Sequence, residues 1–286
     1  MTKFIFFGAG YCSKYIIPLL PKNSEIICTH NLKIKKSSDD NKYNLTRLCF
    51  NDFLKEKETL LKGVSFILNS IPPTENGDVV INNLKESILK NKEKLRWFGY
   101  FSSTSVYGNY EGNWVDENSK LLPKTSRGLL RKKSEINHLN LFKLHSLPIH
   151  IFRLPGIYGP GRSVFDKIRN GQITEIIKEN HFFSRVYVED IGSAINKSLN
   201  NPTPGEIFNL SDDMPCQSSE IVRYAASLIK ISKIKTINYD DPKLNEKIRS
   251  FYFDNKRVRN LKIKKILDWT PKYRNYKLGL KRILEI

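Results

Sequence analysis

The first half of the chain alternates continuous apolar runs with stretches whose apolar residues recur at helical spacing. The run at 64–70 (VSFILNS) is apolar at nearly every position, which is typical of a strand buried on both faces of a parallel sheet. The stretch at 78–90 (DVVINNLKESILK) instead repeats apolar residues as on one face of a helix. This alternation predicts an α/β fold with a doubly wound parallel sheet. The other strands predicted in this half are 3–7, 25–29, 96–103 and 147–154, and the other helices are 13–20 and 127–142.

The second half of the chain is less regular. We predict a helix at 188–199, which Asp190 caps and anchors, and one more strand at 205–210. Another helix begins near residue 218, where Ser218 or Ser219 precedes an acidic first turn, a capping signature. The tail beyond 238 is basic and aromatic and ends in a predicted helix at 277–286.

Composition narrows the class of protein. Hydrophobic residues make up 40% of the 286 positions and aromatics 11%, which is enough for a sizeable core and excludes disorder. No apolar run is long enough to cross a bilayer. The start, MTKFIFFGAGYC, lacks a small-x-small cleavage site, so we interpret it as a buried strand of a cytoplasmic protein. The four cysteines and five histidines are dispersed, and we expect neither a metal site nor a disulfide framework.

The formal net charge of +19 raises the question of an anionic partner. Lysine and arginine are spread along the whole chain, and only short clusters such as RKK at 131–133 occur. No nucleic-acid-binding motif accompanies them. We therefore expect no nucleic-acid partner and no membrane partner.

A glycine-rich turn follows the first predicted strand. In GAGYCS, Gly8 and Gly10 take the first two places of a G-x-G-x-x-G turn, and Ser13 takes the third. The first glycine permits the tight turn, and the second lets the backbone approach a pyrophosphate. Because the turn lies between a buried strand and a helix, the sequence predicts dinucleotide binding by the backbone of residues 8–13. The residues of this turn assigned to the cofactor are Gly8, Ala9, Gly10, Tyr11 and Cys12.

The end of the second predicted strand bears on the form of the cofactor. An acidic side chain there would bind the ribose hydroxyls of NAD, but the chain reads Thr29, His30 and Asn31. These residues, with Lys33 and Lys35 nearby, tolerate or bind a 2′-phosphate. NADP is therefore the expected cofactor and NAD the alternative, and a polar loop with no role in binding also fits the pattern.

Three further motifs appear in order along the chain: FSSTSVYG at 101–108, RLPGIYGPGR at 153–162 and RVYVEDIG at 185–192. Together with the glycine turn, they resemble the extended short-chain dehydrogenase/reductase superfamily in its epimerase/dehydratase branch, and within it the members labelled nucleoside-diphosphate-sugar epimerase-like. The resemblance covers nearly the whole chain. It implies a Rossmann dinucleotide-binding domain at 1–155 and a smaller α/β substrate lobe at 156–286, with about 186–210 returning to the first domain.

The resemblance also implies a Ser, a Tyr and a Lys that work together on the substrate's reacting oxygen. The hydroxyl falls on Ser103, although Ser102, Thr104 and Ser105 leave that register open. Pro123, Gly128 and Glu135 fix the register of the family's Pro-x-x-x-Tyr-Gly-x-x-Lys-x-x-x-Glu run. The positions of the Tyr and the Lys are then Arg127 and Arg131.

An arginine stays protonated at physiological pH and cannot accept a proton, so this pair cannot do the family's acid–base work. It can bind carboxylate or phosphate and stabilise an alkoxide. Arg131 can also donate to the cofactor ribose, and two solvated arginines on a basic helix are the alternative. A replacement acid has no positional argument behind it, and the candidates are Tyr107, Tyr110, Tyr158, Tyr187 and His181.

Other site residues follow only from the resemblance. Beyond the glycine turn, those implied to contact the cofactor are Ser70, Ile71, Pro72, Ser102, Pro155 and Gly156. Those implied to contact the substrate are Thr104, Tyr107, Arg127, Arg162 and Arg185.

Two functional hypotheses remain. One is an NAD(P)-dependent epimerase- or reductase-like oxidoreductase that acts on a small anionic or nucleotide-sugar-like substrate, with Ser103, Arg127 and Arg131 as its catalytic residues. The other is a catalytically inactive NADP(H)-binding sensor or partner protein, which the missing Tyr and Lys favour. We expect a monomer or a homodimer.

Overall fold

The computed structural model describes residues 1–32, 38–171 and 173–286. The chain divides into two compact units. Unit 1 consists of Met1–Ser103, Ser126–Arg153 and Ile191–Phe208, and unit 2 of Thr104–Thr125, Leu154–Asp190 and Asn209–Ile286. Residues 104–125, which the sequence analysis placed in the first domain, thus cluster with the second half of the chain.

The described residues form short and medium-length elements. The strands are β1 Thr2–Phe7, β2 Ser24–His30, β3 Leu45–Cys49, β4 Phe66–Asn69, β5 Trp97–Ser103, β6 Trp114–Val115, β7 Ile149–Leu154, β8 Gly156–Tyr158, β9 Thr174–Ile177, β10 Arg185–Tyr187, β11 Ile207–Asn209, β12 Lys235–Asn238 and β13 Arg257–Val258. The α-helices are α1 Ser13–Ile16, α2 Ser38–Lys42, α3 Phe50–Lys55, α4 Lys57–Leu61, α5 Val79–Lys90, α6 Ser126–His145, α7 Val164–Arg169, α8 Val188–Asn200, α9 Ser218–Leu228, α10 Glu246–Ser250, α11 Leu261–Leu267 and α12 Tyr276–Glu285. Short 3₁₀ turns cover Ile17–Leu19, Lys92–Lys94 and Thr104–Tyr107.

Unit 1 is built on a seven-stranded sheet in the order β11-β7-β5-β4-β1-β2-β3. β1 pairs in parallel with β2 on one side and with β4 on the other. The strand order therefore reverses direction between β1 and β4. In open sheets of this type, ligands bind outside the carboxyl ends of the strands at such a reversal. The fold class predicted from the alternating pattern is confirmed.

Helices cover both faces of this sheet because its central strands β1, β4 and β5 are apolar on both sides. One core packs Ile5, Phe7 and Ile67 against Phe53 of α3 and Leu84 of α5. On the other face, Trp97 is almost completely buried, and its Nε1 donates to Ser198 Oγ of α8 at 2.9 Å. Its indole also lies across Gly99, where a Cβ atom would overlap the ring. Burying each large apolar side chain of this kind contributes about 1.5–3 kcal/mol.

Several local predictions need correction. The helix expected at 13–20 is α-helical only through Ile16 and continues as a 3₁₀ turn to Leu19, because Pro18 lacks the N–H of a regular helix. Gln217, rather than Ser218 or Ser219, caps α9, and the backbone amide of Gln217 donates to Glu220 Oε1 at 2.8 Å.

Unit 2 carries three two-stranded pairings, β10 with β8, β12 with β9 and β13 with β6. Its main core joins Tyr158, Phe165 and Tyr187 to residues of α9 and α12. Asp190 lies inside the first turn of α8, and its carboxylate accepts the backbone amides of Lys272 and Tyr273 at 2.7 and 3.0 Å. Asp190 is therefore an anchor for the segment that leads into α12. Among the residues described, no helix has the length and apolarity to span a membrane.

Candidate functional site

The glycine turn after β1 is locked to the neighbouring strands. Gly8 has φ of 76°, and a Cβ on it would lie 2.7 Å from Cγ1 of Ile71, so only glycine fits. The Gly8 amide donates to Thr29 Oγ1 at 3.2 Å and the Ala9 amide to the Thr29 carbonyl at 2.9 Å. Gly8, Ala9 and Thr29, which the sequence analysis assigned to the cofactor, thus use these groups to hold the turn on β2.

The middle of the same turn is open. A Cβ added to Gly10 would meet only the Gly8 carbonyl oxygen, at 3.7 Å, and Gly10 itself is exposed. Its amide has no hydrogen-bond partner among the residues that the structure describes. Ser13, in place of the third glycine, donates to the Gly10 carbonyl at 2.6 Å and so satisfies its own hydroxyl. The turn therefore leaves both space and a backbone amide at Gly10.

The end of β4 supports the turn from the other side. Ser70 Oγ donates to the Gly8 carbonyl at 2.7 Å, and its amide donates to the Phe7 carbonyl at 2.9 Å. Ile71 packs under Gly8, and Asn69 Oδ1 accepts the Ile71 amide at 3.1 Å. Pro72 is exposed beyond them. Ser70 and Ile71, predicted to contact the cofactor, are thus structural supports of the turn.

A cluster of charged residues lies at the end of β2. Arg47 of β3 donates through Nε to Asp40 Oδ1 at 2.7 Å, and its Nη1 lies 3.4 Å from Nε2 of His30. Burial, and then the charge of Arg47, lower the pKa of His30 below its ordinary value. The Cys49 thiol donates to the backbone carbonyl of Asn31, with Sγ and the oxygen 3.5 Å apart. The sequence analysis missed Arg47 and Asp40, and its Lys33 and Lys35 lie outside the described residues.

At the end of β5, the two serines have different surroundings. Ser102 is buried, and its Oγ donates to Glu135 Oε1 of α6 at 2.6 Å. Glu135 forms an ion pair with Arg153 of β7, and both side chains are only 2% exposed. Ser102, predicted to touch the cofactor, is therefore tied to an internal network. Ser103, the predicted catalytic hydroxyl, is half-buried at the last position of β5.

Arg131 is held against β5. Its Nη1 donates to the Tyr100 hydroxyl at 3.0 Å and to the Phe101 carbonyl at 2.5 Å. Burial raises the pKa of Tyr100, and the charge of Arg131 opposes that rise. The His138 ring stacks on the Tyr100 ring, with the two ring centroids 4.1 Å apart. Tyr100 and His138 had no assigned role in the sequence analysis, since nothing in their positions marks them as neighbours of Arg131.

Arg127 lies one turn earlier on α6 and has a different environment. It is exposed, whereas Arg131 is half-buried. Ser103, Arg127 and Arg131, the three predicted catalytic residues, all belong to unit 1. The two arginines share the helix-face relationship expected from their spacing, and Arg131 contacts the sheet through Tyr100 and Phe101.

Unit 2 contains a cavity of about 420 Å³. It brings together Arg162 and Arg185, both predicted to contact the substrate, and adds Lys167, which the sequence analysis missed. Arg185 Nη1 donates to the Phe183 carbonyl at 3.0 Å and to Cys216 Sγ at 3.3 Å, which fixes the guanidinium. Tyr158, Tyr276, Ile221 and other apolar side chains form the walls. Cationic groups on apolar walls suit an anion that carries a nonpolar or aromatic portion.

The other predicted residues of unit 2 fall in varied places. Tyr107 is completely buried, and its hydroxyl donates to Asn209 Oδ1 at 2.7 Å, so it is a core residue. Thr104 is also buried. Pro155 is half-buried and Gly156 is exposed, at the start of β8.

The remaining candidates for a replacement acid are buried or hydrogen-bonded to other parts of the protein. Tyr110 donates to the Lys120 carbonyl at 2.6 Å, and Tyr187 is completely buried. Burial raises the pKa of Tyr158 far above its ordinary value and lowers the pKa of His181 to about 4. Tyr158 and His181 therefore do not gain the character of a general acid–base group near neutral pH.

Solved structures of sugar-nucleotide epimerases and dehydratases share this fold over the whole chain. A dTDP-glucose 4,6-dehydratase from Bacillus anthracis str. Ames in complex with NAD is 18% identical, with 100% of this chain and 96% of that chain covered and a TM-score of 0.75. A UDP-glucuronic acid 4-epimerase from Bacillus cereus in complex with NAD is 16% identical, with 99% of each chain covered and a TM-score of 0.77. The fold is that of the extended short-chain dehydrogenase/reductases of the epimerase/dehydratase branch, which confirms the resemblance.

A nearer likeness identifies the family. A functionally unknown conserved protein from Silicibacter pomeroyi DSS is 36% identical, with 100% of this chain and 99% of that chain covered and a TM-score of 0.89. The chain belongs to the same family as that protein. No protein-family model and no curated protein matches it.

Proposed function

We propose that this protein is an NAD(P)-dependent oxidoreductase of the epimerase/dehydratase type that acts on a small anionic substrate. The observation that carries the proposal is the open glycine turn, where Gly10 leaves both space and an amide for a diphosphate. The location of this turn at the strand-order reversal supports it, because ligands bind there in open α/β sheets. Two structures of the same fold contain NAD.

The cofactor would be held by the backbone of Gly10, Tyr11 and Cys12 at its diphosphate. The nicotinamide supplies hydride transfer when it is bound. NADP is the preferred form in this proposal, because the end of β2 offers His30 and the neighbouring Arg47 where an acid would select NAD.

The substrate's anionic group would bind in the cavity of unit 2, where Arg162, Lys167 and Arg185 contribute positive charge. Three cations against one carboxylate, Asp166, which accepts from Ser163, leave a positive balance. Together with the apolar walls, this balance favours a phosphate or carboxylate joined to a larger organic group. A nucleotide sugar has this chemistry, and the two named relatives act on nucleotide sugars according to their names.

Three residues of unit 1 carry the proposed chemistry. Ser103 orients the reacting oxygen of the substrate through its hydroxyl. Arg127 stabilises negative charge that develops on that oxygen, since its guanidinium donates without giving up its own proton. Arg131, fixed by Tyr100 and the Phe101 carbonyl, holds the place that a lysine takes in the family and donates to the cofactor ribose.

Calorimetric titration with NADPH and NADH tests the proposal, followed by a screen for coenzyme oxidation with carbonyl compounds and nucleotide sugars. We expect micromolar binding and turnover that falls by about 10²-fold or more in Ser103→Ala with coenzyme affinity unchanged. Ser227→Ala is the matched control, because it removes an exposed hydroxyl of α9 that donates to the Tyr224 carbonyl. Absence of binding at millimolar coenzyme contradicts the proposal.

Binding without turnover in that screen supports the second candidate function, an inactive NADP(H)-binding sensor or partner protein. The observation that favours it is that arginine occupies both the Tyr and the Lys positions of the family. Two results together would favour the inactive binding protein. Coenzyme affinity would be the same with and without each substrate class, and Ser103→Ala would bind coenzyme as the unsubstituted protein does.

A further inference from the structure

Arg47 reaches the end of β2 from the next strand. β3 pairs with β2 in parallel, with Arg47 opposite Cys28 and Cys49 opposite His30. Arg47 lies on the same face of the sheet as Cys28, because the two residues are directly opposite each other. His30 is two residues further along β2 and shares that face, so it lies diagonally beside Arg47. The 3.4 Å between Arg47 Nη1 and His30 Nε2 reflects this placement. The guanidinium thus stands where the adenosine end of a dinucleotide in the glycine turn would lie.

Asp40 orients this guanidinium. Its carboxylate is 6% exposed, whereas the Arg47 side chain is 22% exposed, and the two join through Nε at 2.7 Å. A guanidinium has five N–H donors, so a carboxylate bound at Nε leaves the Nη groups to donate elsewhere. The pair therefore keeps a cationic fork at the edge of the sheet in one orientation.

The ion pair with Arg47 also changes how the Asp40 carboxylate would act on a bound cofactor. A free carboxylate near the adenosine ribose binds its hydroxyls and repels a 2′-phosphate. Asp40 is engaged by Arg47, which offsets its charge. His30 contributes a ring nitrogen beside the same Nη1. Because an arginine only donates, His30 Nε2 accepts from Nη1, and the donors presented at this corner are the remaining N–H groups of the guanidinium. A planar guanidinium pairs well with phosphate.

We propose that Arg47, oriented by Asp40, is the residue that recognises the 2′-phosphate of NADP and sets the preference for NADP over NAD. The inference rests on the proposed function, since it requires a dinucleotide in the glycine turn. It assigns the choice of cofactor to β3, away from the loop that directly follows β2.

The test is calorimetric titration of the full-length protein with NADPH, NADH and 2′,5′-ADP. Arg47→Gln is expected to weaken NADPH and 2′,5′-ADP binding by about 10-fold to 100-fold, the usual worth of a charge-assisted contact, and NADH binding by less than about 3-fold. Because Arg47→Gln leaves Asp40 buried without its partner, the double variant Asp40→Asn/Arg47→Gln is measured as well, and it should show the same loss. Lys90→Gln removes one positive charge from the exposed end of α5 and is the matched control.

The outcomes separate the two proposals. If the unsubstituted protein binds neither coenzyme, the proposed function fails and this inference fails with it. If it binds coenzyme but the ratio of NADPH to NADH affinity is the same in the double variant, in Lys90→Gln and in the unsubstituted protein, only the assignment of Arg47 is overturned. A selective loss of the phosphorylated ligands in the variants of Arg47 supports it.

Discussion

Arg153 and Glu135 form an ion pair in the interior of unit 1, with Nη2 and Oε2 2.7 Å apart. Nε of Arg153 also donates to Oε1 at 3.0 Å, so the contact is bidentate, and Ser102 donates to the same Oε1. The pair ties α6 to β7, next to the end of β5. It therefore fixes the helix that carries Arg127 and Arg131.

Breaking this pair should destabilise the fold strongly. Glu135→Gln leaves the Arg153 charge buried without a counter-charge, which costs about 3–5 kcal/mol of unfolding free energy. Urea unfolding measures the loss. The double variant Glu135→Leu/Arg153→Met removes both charges and should regain most of the stability. A single variant as stable as the unsubstituted protein would contradict this account.

Two glycines of the turn should respond differently to alanine. Gly10→Ala meets no atom closer than 3.7 Å, so the fold should keep its stability while dinucleotide affinity falls by about 10-fold or more. Gly8→Ala should lose stability, because it combines a positive φ with the contact to Ile71.

Gly63→Ala is the control for these variants, because Gly63 has φ of 74° and nothing within 4 Å of an added Cβ. The excess loss of stability in Gly8→Ala over Gly63→Ala measures the Ile71 contact. Thermal denaturation and calorimetry give the two readouts. An unchanged coenzyme affinity in Gly10→Ala would contradict the assigned binding turn.

Tyr100 and Arg131 should act as one unit in coenzyme binding. Tyr100→Phe removes the hydroxyl that accepts Arg131 Nη1, and we expect a loss of about 1 kcal/mol in stability and a few-fold loss in coenzyme affinity. In an Arg131→Met background the same change should leave coenzyme affinity unaltered. Calorimetry on the four proteins of this cycle measures the coupling. Additive effects would show that Tyr100 acts independently of Arg131.

Asp190 should make stability depend on pH. Burial raises its pKa to about 6, above the ordinary value of an aspartate. The folded state then binds a proton that the unfolded state has released, so the contribution to stability is present below about pH 4 and is lost as pH rises towards 6. The shift corresponds to about 2–3 kcal/mol. Asp190→Asn should flatten this decline in unfolding free energy.

Burial also raises the pKa of Asp212 well above its ordinary value, so a residual slope should remain in Asp190→Asn. Urea unfolding at half-unit pH steps measures both slopes. The same slope in Asp190→Asn and in the unsubstituted protein would show that the 272–273 amides hold this carboxyl in its charged form.

The sequence predicts the parts of this molecule in which each strand or turn carries its own signal. The apolar runs of β1, β4 and β7 indicate a parallel sheet, and the spacing of Gly8 and Gly10 indicates the turn. β3 was missed, because an edge strand that reads LTRLC is short and partly exposed. Arg47 was therefore missed too, since its proximity to His30 depends on that pairing.

The contacts of individual polar atoms could not be predicted from the sequence for a related reason. Motif positions show which residues lie near the turn, but they do not show which polar atoms the fold uses. Thr29 and Ser70 hold the backbone of the turn, and Ser102 binds Glu135. Their contact with the cofactor stays a prediction. The partners of these hydroxyls come from distant parts of the chain, and spacing alone does not reveal them.

The indole of Trp97 across Gly99 has a consequence for how this family can diverge. A side chain larger than hydrogen at position 99 is excluded while the tryptophan is present, and a smaller residue at 97 would leave a void beside α8. Residues 97 and 99 should therefore covary among relatives, so that a larger side chain at 99 occurs together with a smaller side chain at 97.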